Sequence, residues 1–355
     1  MNAQSSTSVA LSDAREAFEQ VSAHIAEHGI EPEPLSSAHH RFRYEGSTIQ
    51  LQHDGSALTI ALEAPSANML YFLKEAAALH VAEIDPMAAE GLRWSDQSAP
   101  VRQPVNFSEL ILLRRSRPIP GLTRLTLEAD DVGMLADGGL HVKLMLPADR
   151  TRAPVWPSVA ANGVTKWPKG DDRLHVRYFT LRSVRPEMGE VDIDVVEHPG
   201  GLISDWALEA APGDRIGVMG PGGGQPPEQQ EELLLAGDMT ALPPIARILE
   251  SLSLEASGHL VVAFPEGAEP ASYLPPTTLE LRTIAPGRFR QEVLPVIQKI
   301  GTGHRIQNAW FGGEHANAQA LRQLFKRDFG LGQGAQLSVA YWREGRRGDA
   351  RRETD

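Results

Sequence analysis

From residue 231 onward, four apolar runs, ELLLAG, HLVVAF, NAWFGG and LSVAYW, recur between stretches of helical periodicity such as TALPPIARILESL and NAQALRQLFKRDF. A strand that is apolar on both faces has to be covered on both, and the intervening helices supply the cover. The alternation predicts a mostly parallel sheet of the nucleotide-binding kind. The chain before it reads differently. Between about Ser108 and Gly224, ELILLRRSRPI, LTRLTLEA, HVKLMLPA, HVRYFTLRSV, EVDIDVVEH and DRIGVMGP are short strands separated by turn residues, a density that predicts a barrel or sandwich.

The first hundred residues form a third kind of text. A helix is expected from Ala14 to His28, then strands in HHRFRYEGSTIQLQHDGSALTIALEA with a hairpin turn at Asp54-Gly55, then a second helix in ANMLYFLKEAAALHVAEID. QSAPVRQPVNF is a polar link. The expected organisation is a small α+β domain over 1–105, a barrel domain over 106–228 and an α/β domain over 229–355 ending in the charged tail GRRGDARRETD.

Composition narrows the chemistry. The chain has no cysteine, which excludes disulfides, thiolate zinc sites, a catalytic thiol and cysteine-held iron–sulfur clusters. Redox work would need an organic cofactor or a metal on oxygen and nitrogen ligands. A net charge of −12 argues against nucleic-acid or anionic-membrane partners, while leaving room for a local basic pocket. No apolar run approaches the roughly 20 residues of a membrane span, and MNAQSSTSVALSDAREAFEQ lacks the basic and apolar regions of a secretory signal. A cytoplasmic location is expected.

Three segments carry the residue types of a cofactor site. In Arg177-Tyr178-Phe179-Thr180-Leu181-Arg182, alternation puts Arg177, Phe179 and Leu181 on one strand face and Tyr178, Thr180 and Arg182 on the other, unless a bulge intervenes. A cation for a pyrophosphate, a flat ring and a polar group are all present, although an ordinary barrel strand with solvated arginines reads the same. In His198-Pro199-Gly200-Gly201-Leu202-Ile203-Ser204-Asp205-Trp206, two glycines precede a helix whose amino end offers unpaired N–H groups to an anion; a plain glycine turn fits as well. In LLLAGDMTALPP, a buried strand runs into Gly237 and Asp238 and then a helix with proline in its first turn, and Gly312-Gly313-Glu314 repeats that geometry as a facing lip.

Together, RYFTLR, the HPGGLISDWA run, GPGGG, LLLAGDMTALPPIARILE, WFGGEHANAQALR and YWREG stand in the order found in siderophore-interacting proteins, and the chain resembles that family over about residues 108–346. The resemblance implies a ferredoxin-reductase-like architecture, an antiparallel flavin-binding β-barrel followed by an α/β nucleotide-binding domain. It also implies an NAD(P)H-dependent flavin oxidoreductase whose substrate is a ferric siderophore. Arg177 would meet the FAD pyrophosphate, Phe179 would take the place of the family's tyrosine against the isoalloxazine, and Thr180 would approach N5. Tyr178, Arg182, His198, Gly200, Gly201, Leu202, Ser204 and Trp206 complete the expected FAD set. Gly237, Asp238, Thr240, Ala241, Gly313 and Glu314 form the expected NAD(P)H set. Met239 stands where the family has glutamate. HLVVAFPEG has Ala263 or Phe264 where an acidic residue would meet a ribose. Arg282, Arg288 and Arg290 are candidates for a 2′-phosphate, so NADH and NADPH both stay open.

The N-terminal unit resembles, over Ala61 to Trp94, a small family of uncharacterised domains fused to such reductases, and no activity transfers with that likeness. His24 with His28 and His39 with His40 are read as a helix face and a loop rather than a metal site. No acid–base residue is required by the implied reaction. Lys143 and Arg343 are the candidates for attracting an anionic iron chelate. Two other readings remain: another NAD(P)H flavin oxidoreductase of this fold, and a non-catalytic siderophore-binding protein.

Overall fold

The computed structural model describes residues 2–27, 30–96, 103–136, 139–222, 227, 231–332 and 334–345. They fall into two compact units, residues 1–107 with 149–173 and residues 108–148 with 174–355.

In the first unit, β1 (Ala3–Ala10), β2 (Glu33–Ser36), β3 (His39–Tyr44), β4 (Ser47–His53) and β5 (Ala57–Ala64) form an antiparallel sheet in the order β1-β5-β4-β3-β2. Helices α1 (Ala14–Glu27), α2 (Ala67–Ile84) and α3 (Pro86–Gly91) complete it. Phe18, Leu70 and Val81 of the helices share one core with Phe42, Leu51, Ile60 and Leu62 of the strands. The turn between β4 and β5 is the expected one. Asp54 Oδ1 accepts from the N–H groups of Ser56 and Ala57, and Gly55 takes a φ of +93° that favours glycine. β1 is an addition to the expectation. Its sequence AQSSTSVA is polar, yet Ser5, Thr7 and Val9 are buried on one face while it pairs with β5 along its length.

The second unit opens with β6 (Phe107–Ser116), β7 (Leu122–Glu128) and β8 (His141–Pro147). The chain then leaves for residues 149–173, which carry β9 (Ser158–Val159) and β10 (Thr165–Lys166) and group with the first unit rather than with the expected barrel domain. Within that unit Trp94 Nε1 donates to Asn162 O at 2.9 Å and Asn162 Nδ2 to Ala89 O at 3.0 Å. The hydroxyls of Tyr71 and Thr165 also meet. Returning, β11 (Leu174–Arg185), β12 (Glu190–Val196), α4 (Leu202–Glu209) and β13 (Arg215–Gly222) complete a closed barrel in the order β11-β12-β7-β6-β13-β8. Leu110, Leu125, Leu144, Ile193, Ile216 and Val218 fill it, and α4 adds Ile203, Trp206 and Ala207 to the same core.

The rest of the unit is β14 (Leu233–Gly237), α5 (Leu242–Ser251), β15 (Gly258–Ala263), β16 (Glu280–Ile284), α6 (Pro286–Gly303), β17 (Asn308–Glu314), α7 (His315–Arg327) and β18 (Gln336–Trp342). The strands form a parallel sheet in the order β16-β15-β14-β17-β18. β14 and β17 are buried at every position, the reason their sequences are continuous apolar runs. Strand order reverses between β14 and β17, which opens a crevice beyond their carboxyl ends. Among the described residues, no helix is long and apolar enough to cross a membrane.

Candidate functional site

β11 supplies the first part of the site. It pairs with β8 so that Arg177 lies opposite Leu144, Tyr178 opposite Lys143, Phe179 opposite Val142 and Thr180 opposite His141. Arg177 is partly buried and its Nη1 donates to Val176 O at 2.7 Å. Phe179 rests its ring partly on the barrel core. Tyr178, on the opposite face, is 64% exposed, with Lys143 Nζ 5.9 Å from its ring centroid. A bulge between Leu181 and Ser183 breaks the alternation at Arg182. The Arg182 guanidinium turns to Glu250 of α5 at 2.9 Å, so this residue joins the barrel to the parallel sheet.

The amino end of α4 is the second part. Gly200 has a φ of +75°, and a Cβ placed on Gly201 would lie 1.9 Å from His198 Cε1. The His198 imidazole therefore packs directly over Gly201, and a side chain there would have to displace the ring. Ser204 Oγ accepts from the His198 N–H at 2.9 Å and Asp205 Oδ1 from the Gly200 N–H at 3.3 Å, which hold the turn in shape. Gly201 is the N-cap and makes no side-chain cap bond. The first-turn N–H groups of α4 have no partner inside the helix. At the other end Arg115 donates to the carbonyls of Ala207, at 3.3 Å, and Leu208. Leu202 is exposed at the mouth of the turn, whereas Trp206 is 2% exposed and packs in the barrel core.

The crevice between β14 and β17 is the third part, and most of the backbone donors on its β14 lip are already engaged. The Asp238 carboxylate accepts from Thr240 N at 2.9 Å, Ala241 N donates to Asp238 O at 3.0 Å, and the Leu242 N–H turns to Met239 O. Pro243 and Pro244 have no N–H to offer. On the facing lip Glu314 caps α7 by accepting from Ala316 N. The lips touch: Asp238 N donates to Gly312 O at 3.2 Å, and a Cβ on Gly313 would fall 2.7 Å from Asp238 Oδ2. Trp342 Nε1 donates to the same Oδ2 at 2.7 Å. Burial pushes the Asp238 carboxyl above its usual range against these bonds. This segment shapes a floor instead of an anion cradle, and a dinucleotide would be held there by fit.

His141 ties barrel and sheet together. One ring nitrogen stands 3.2 Å from Thr180 Oγ1 and the other 3.3 Å from the Tyr341 hydroxyl. Burial and the nearby Arg247 press its pKa down to about 4, and a neutral imidazole has one donor and one acceptor for those two hydroxyls. Lys143 follows two residues along β8 on the same face, and Arg343 two residues beyond Tyr341. Arg282 pairs with Glu280, Arg288 with Glu266 and Glu292, and Arg290 with Glu344. Glu266 escaped the sequence reading because it lies past the end of β15 and not on it. His39 Nε2 bonds Gln50 at 3.0 Å and His40 Nδ1 bonds Ser22 at 3.1 Å. His28, the last two glycines of GPGGG and the tail beyond Gly345 lie outside the described residues.

Comparison with known proteins matches these parts in order. Residues 112–225 match the siderophore-interacting FAD-binding domain and residues 230–345 the siderophore-interacting protein domain. The chain is 26% identical over 252 residues to ferric vibriobactin reductase ViuB of Vibrio cholerae serotype O1, covering 68% of this chain and 91% of that one. It is 34% identical over 157 residues to an NADPH-dependent ferric-chelate reductase of Escherichia coli, covering 43% and 60%. The crystal structure of the siderophore-interacting protein SipS from Aeromonas hydrophila superposes with a TM-score of 0.52 at 29% identity, over 69% of this chain and all of that one. With both halves of the second unit matched, this chain belongs to the siderophore-interacting protein family.

Proposed function

We propose that this protein is a flavin-dependent ferric-siderophore reductase, passing electrons from NAD(P)H through FAD to a siderophore's iron(III) and so releasing iron(II). The observation that carries the reading is the uncapped amino end of α4 behind a glycine turn, on the same barrel as Arg177. Backbone N–H groups, a helix dipole and a permanent cation form a donor set that fits a pyrophosphate. Arg177 and Phe179 share a strand face, which lets one hold the pyrophosphate while the other supports the ring. When bound, FAD supplies the exchange between a two-electron donor and a one-electron acceptor.

The crevice between β14 and β17 receives the nicotinamide dinucleotide by shape, and Glu266 and Arg288 stand beyond β15 where a ribose or its 2′-phosphate is read. Lys143 and Arg343 attract the anionic chelate against the protein's own negative field. The reaction belongs in the cytoplasm, where NAD(P)H is made.

The test is direct. Purified protein should be yellow, should bleach anaerobically with NAD(P)H, and should regain colour on adding a ferric siderophore while a ferrous chelator traps iron(II). Colourless protein that binds the siderophore without reducing it would replace this reading with a carrier role.

A further inference from the structure

On the side of the parallel sheet away from the crevice, three side chains converge that none of the cofactor chemistry uses. His259 is the second residue of β15, and its register partner on β16 is Glu280. His304 is the residue that ends α6. Their ligating atoms all lie within 4.8 Å of one another. We propose that these residues form a binding site for a first-row divalent cation of the zinc, cobalt or iron(II) type.

The state of His259 is the first reason. The residue is 4% exposed, and its Nδ1 is buried without a hydrogen bond. Glu280 Oε2 is 3.2 Å from that nitrogen but not in hydrogen-bond geometry. A buried, unbonded ring nitrogen is costly, and a folded chain seldom tolerates one without a partner. Two donors on one tetrahedral ion with bonds of about 2.0–2.1 Å are about 3.3 Å apart, so the 3.2 Å separation matches two ligands of one ion.

The surroundings supply the rest of a site. The His304 and His259 rings are 4.5 Å apart at 68°, which brings both imidazoles to the same point. Glu280 and His304 are exposed, so solvent and an ion can reach both. Arg282 Nη2 donates to Glu280 Oε1 at 2.8 Å, which orients the carboxylate and leaves Oε2 for the ion. His304 also lines an open cavity of about 440 Å³ with Arg305, Asp328 and Phe329, a route for the ion and for water in its open positions. Two imidazoles and a carboxylate select a borderline cation over calcium or magnesium, and without sulfur they do not favour copper(I).

The site lies roughly 13 Å from the crevice end of the sheet, the rise of β15 from His259 to Ala263. It clips β15, β16 and the end of α6 together and does not depend on the reductase reading.

Full-length, untagged protein stripped with a chelator would be titrated with zinc by calorimetry and with cobalt by visible absorption. One equivalent should bind in the micromolar range, with a cobalt spectrum showing nitrogen ligation and a raised melting temperature. His304→Ala and Glu280→Gln, both at exposed positions, should each weaken binding by at least about tenfold with an unchanged circular dichroism spectrum. Absence of saturable binding would overturn the proposal. So would one-equivalent binding that survives both substitutions, which would place the ion elsewhere.

Discussion

Tyr273 donates its hydroxyl hydrogen to Asp194 Oδ2 over 2.6 Å, and that carboxylate is closed off from solvent. Asp194 belongs to β12 of the barrel, and Tyr273 follows β15 of the parallel sheet. Arg124 of β7 grips the same carboxylate with bonds of 2.7 and 2.8 Å. The guanidiniums of Arg124 and Arg182 lie 6.0 and 5.7 Å from the tyrosine ring. Burial and the Asp194 charge push the phenol well above its ordinary range, so it stays a donor at any working pH.

Tyr273→Phe keeps the ring between the arginines and removes only the bond to a charged acceptor. A loss of about 1.5–3 kcal/mol in unfolding free energy is expected, read from urea denaturation. Flavin content should not change, because neither residue touches the α4 turn. An unchanged urea midpoint would show that Arg124 alone satisfies Asp194.

His141 makes the barrel–sheet junction sensitive to acid. Its pKa is about 4 in the folded protein against an ordinary 6.5, so folding favours the neutral ring. A depressed folded pKa contributes stability that is complete above the unfolded value and is lost as pH falls through the window from 6.5 to about 4. The full contribution is on the order of 3 kcal/mol. His141→Gln cannot take up that proton. Its stability relative to the parent should therefore rise across the window, measured by denaturant unfolding at closely spaced pH values. Parallel curves would remove His141 from the acid response.

The same geometry shows what could be read from the chain and what could not. β14, β15 and β17 were legible because a strand covered on both faces must be apolar throughout. β16 was not, since ELRTI is an edge strand with mostly exposed side chains. β1 hid in a polar stretch whose burial depends on its pairing with the distant β5. The excursion over 149–173 is held to the first unit by contacts such as Trp94 with Asn162, which no local pattern announces. In the site, Arg177 and Phe179 keep the strand alternation that their spacing implied. Arg182 does not, because a bulge turns it toward Glu250. Trp206 reads as a helix residue near a cofactor, but helical phase sends it into the barrel. His259 and His304 meet only through the sheet and α6, so neither drew notice in the sequence.

FAD retention is expected to depend on both the cation and the turn. Arg177→Ala removes a fixed charge from the pyrophosphate site and should weaken FAD binding by roughly tenfold or more. Gly201→Ala puts a methyl group 1.9 Å from His198 Cε1, so the imidazole must swing out of its place against the turn. Both variants should purify with less flavin at unchanged circular dichroism. Gly287→Ala has no neighbour within 4 Å of the added Cβ and serves as a control that keeps its flavin. Full flavin in Arg177→Ala would move the pyrophosphate to other residues.

Attraction of the iron complex is the last expectation, and it follows from charge. The chain carries a net −12, so at long range it repels the anionic complexes that hydroxamate, catecholate and carboxylate siderophores often form with iron(III). A local cationic surface has to outweigh that field close to the flavin. The contact between Tyr341 and His141 brings the end of β18 to the β8 face, with Lys143 two residues along one strand and Arg343 two residues beyond the other. Trp342 is 43% exposed beside Arg343, and Tyr178 is exposed beside Lys143, giving the two cations aromatic neighbours. Lys143→Ala and Arg343→Ala should each raise the KM for an anionic ferric siderophore by a factor corresponding to about 1 kcal/mol, the range of a solvent-exposed charge pair. The effect should shrink as salt rises, since exposed charges are screened within about 10 Å at 0.1 M ionic strength. Reduction of the flavin by NAD(P)H, followed by stopped flow, should be unchanged, because that half-reaction does not involve the acceptor. Steady-state kinetics at low and high salt separate the outcomes. A KM equal to the parent's in both variants would place the acceptor on another face, and a change in the flavin-reduction rate would show that the substitutions disturb the cofactor instead.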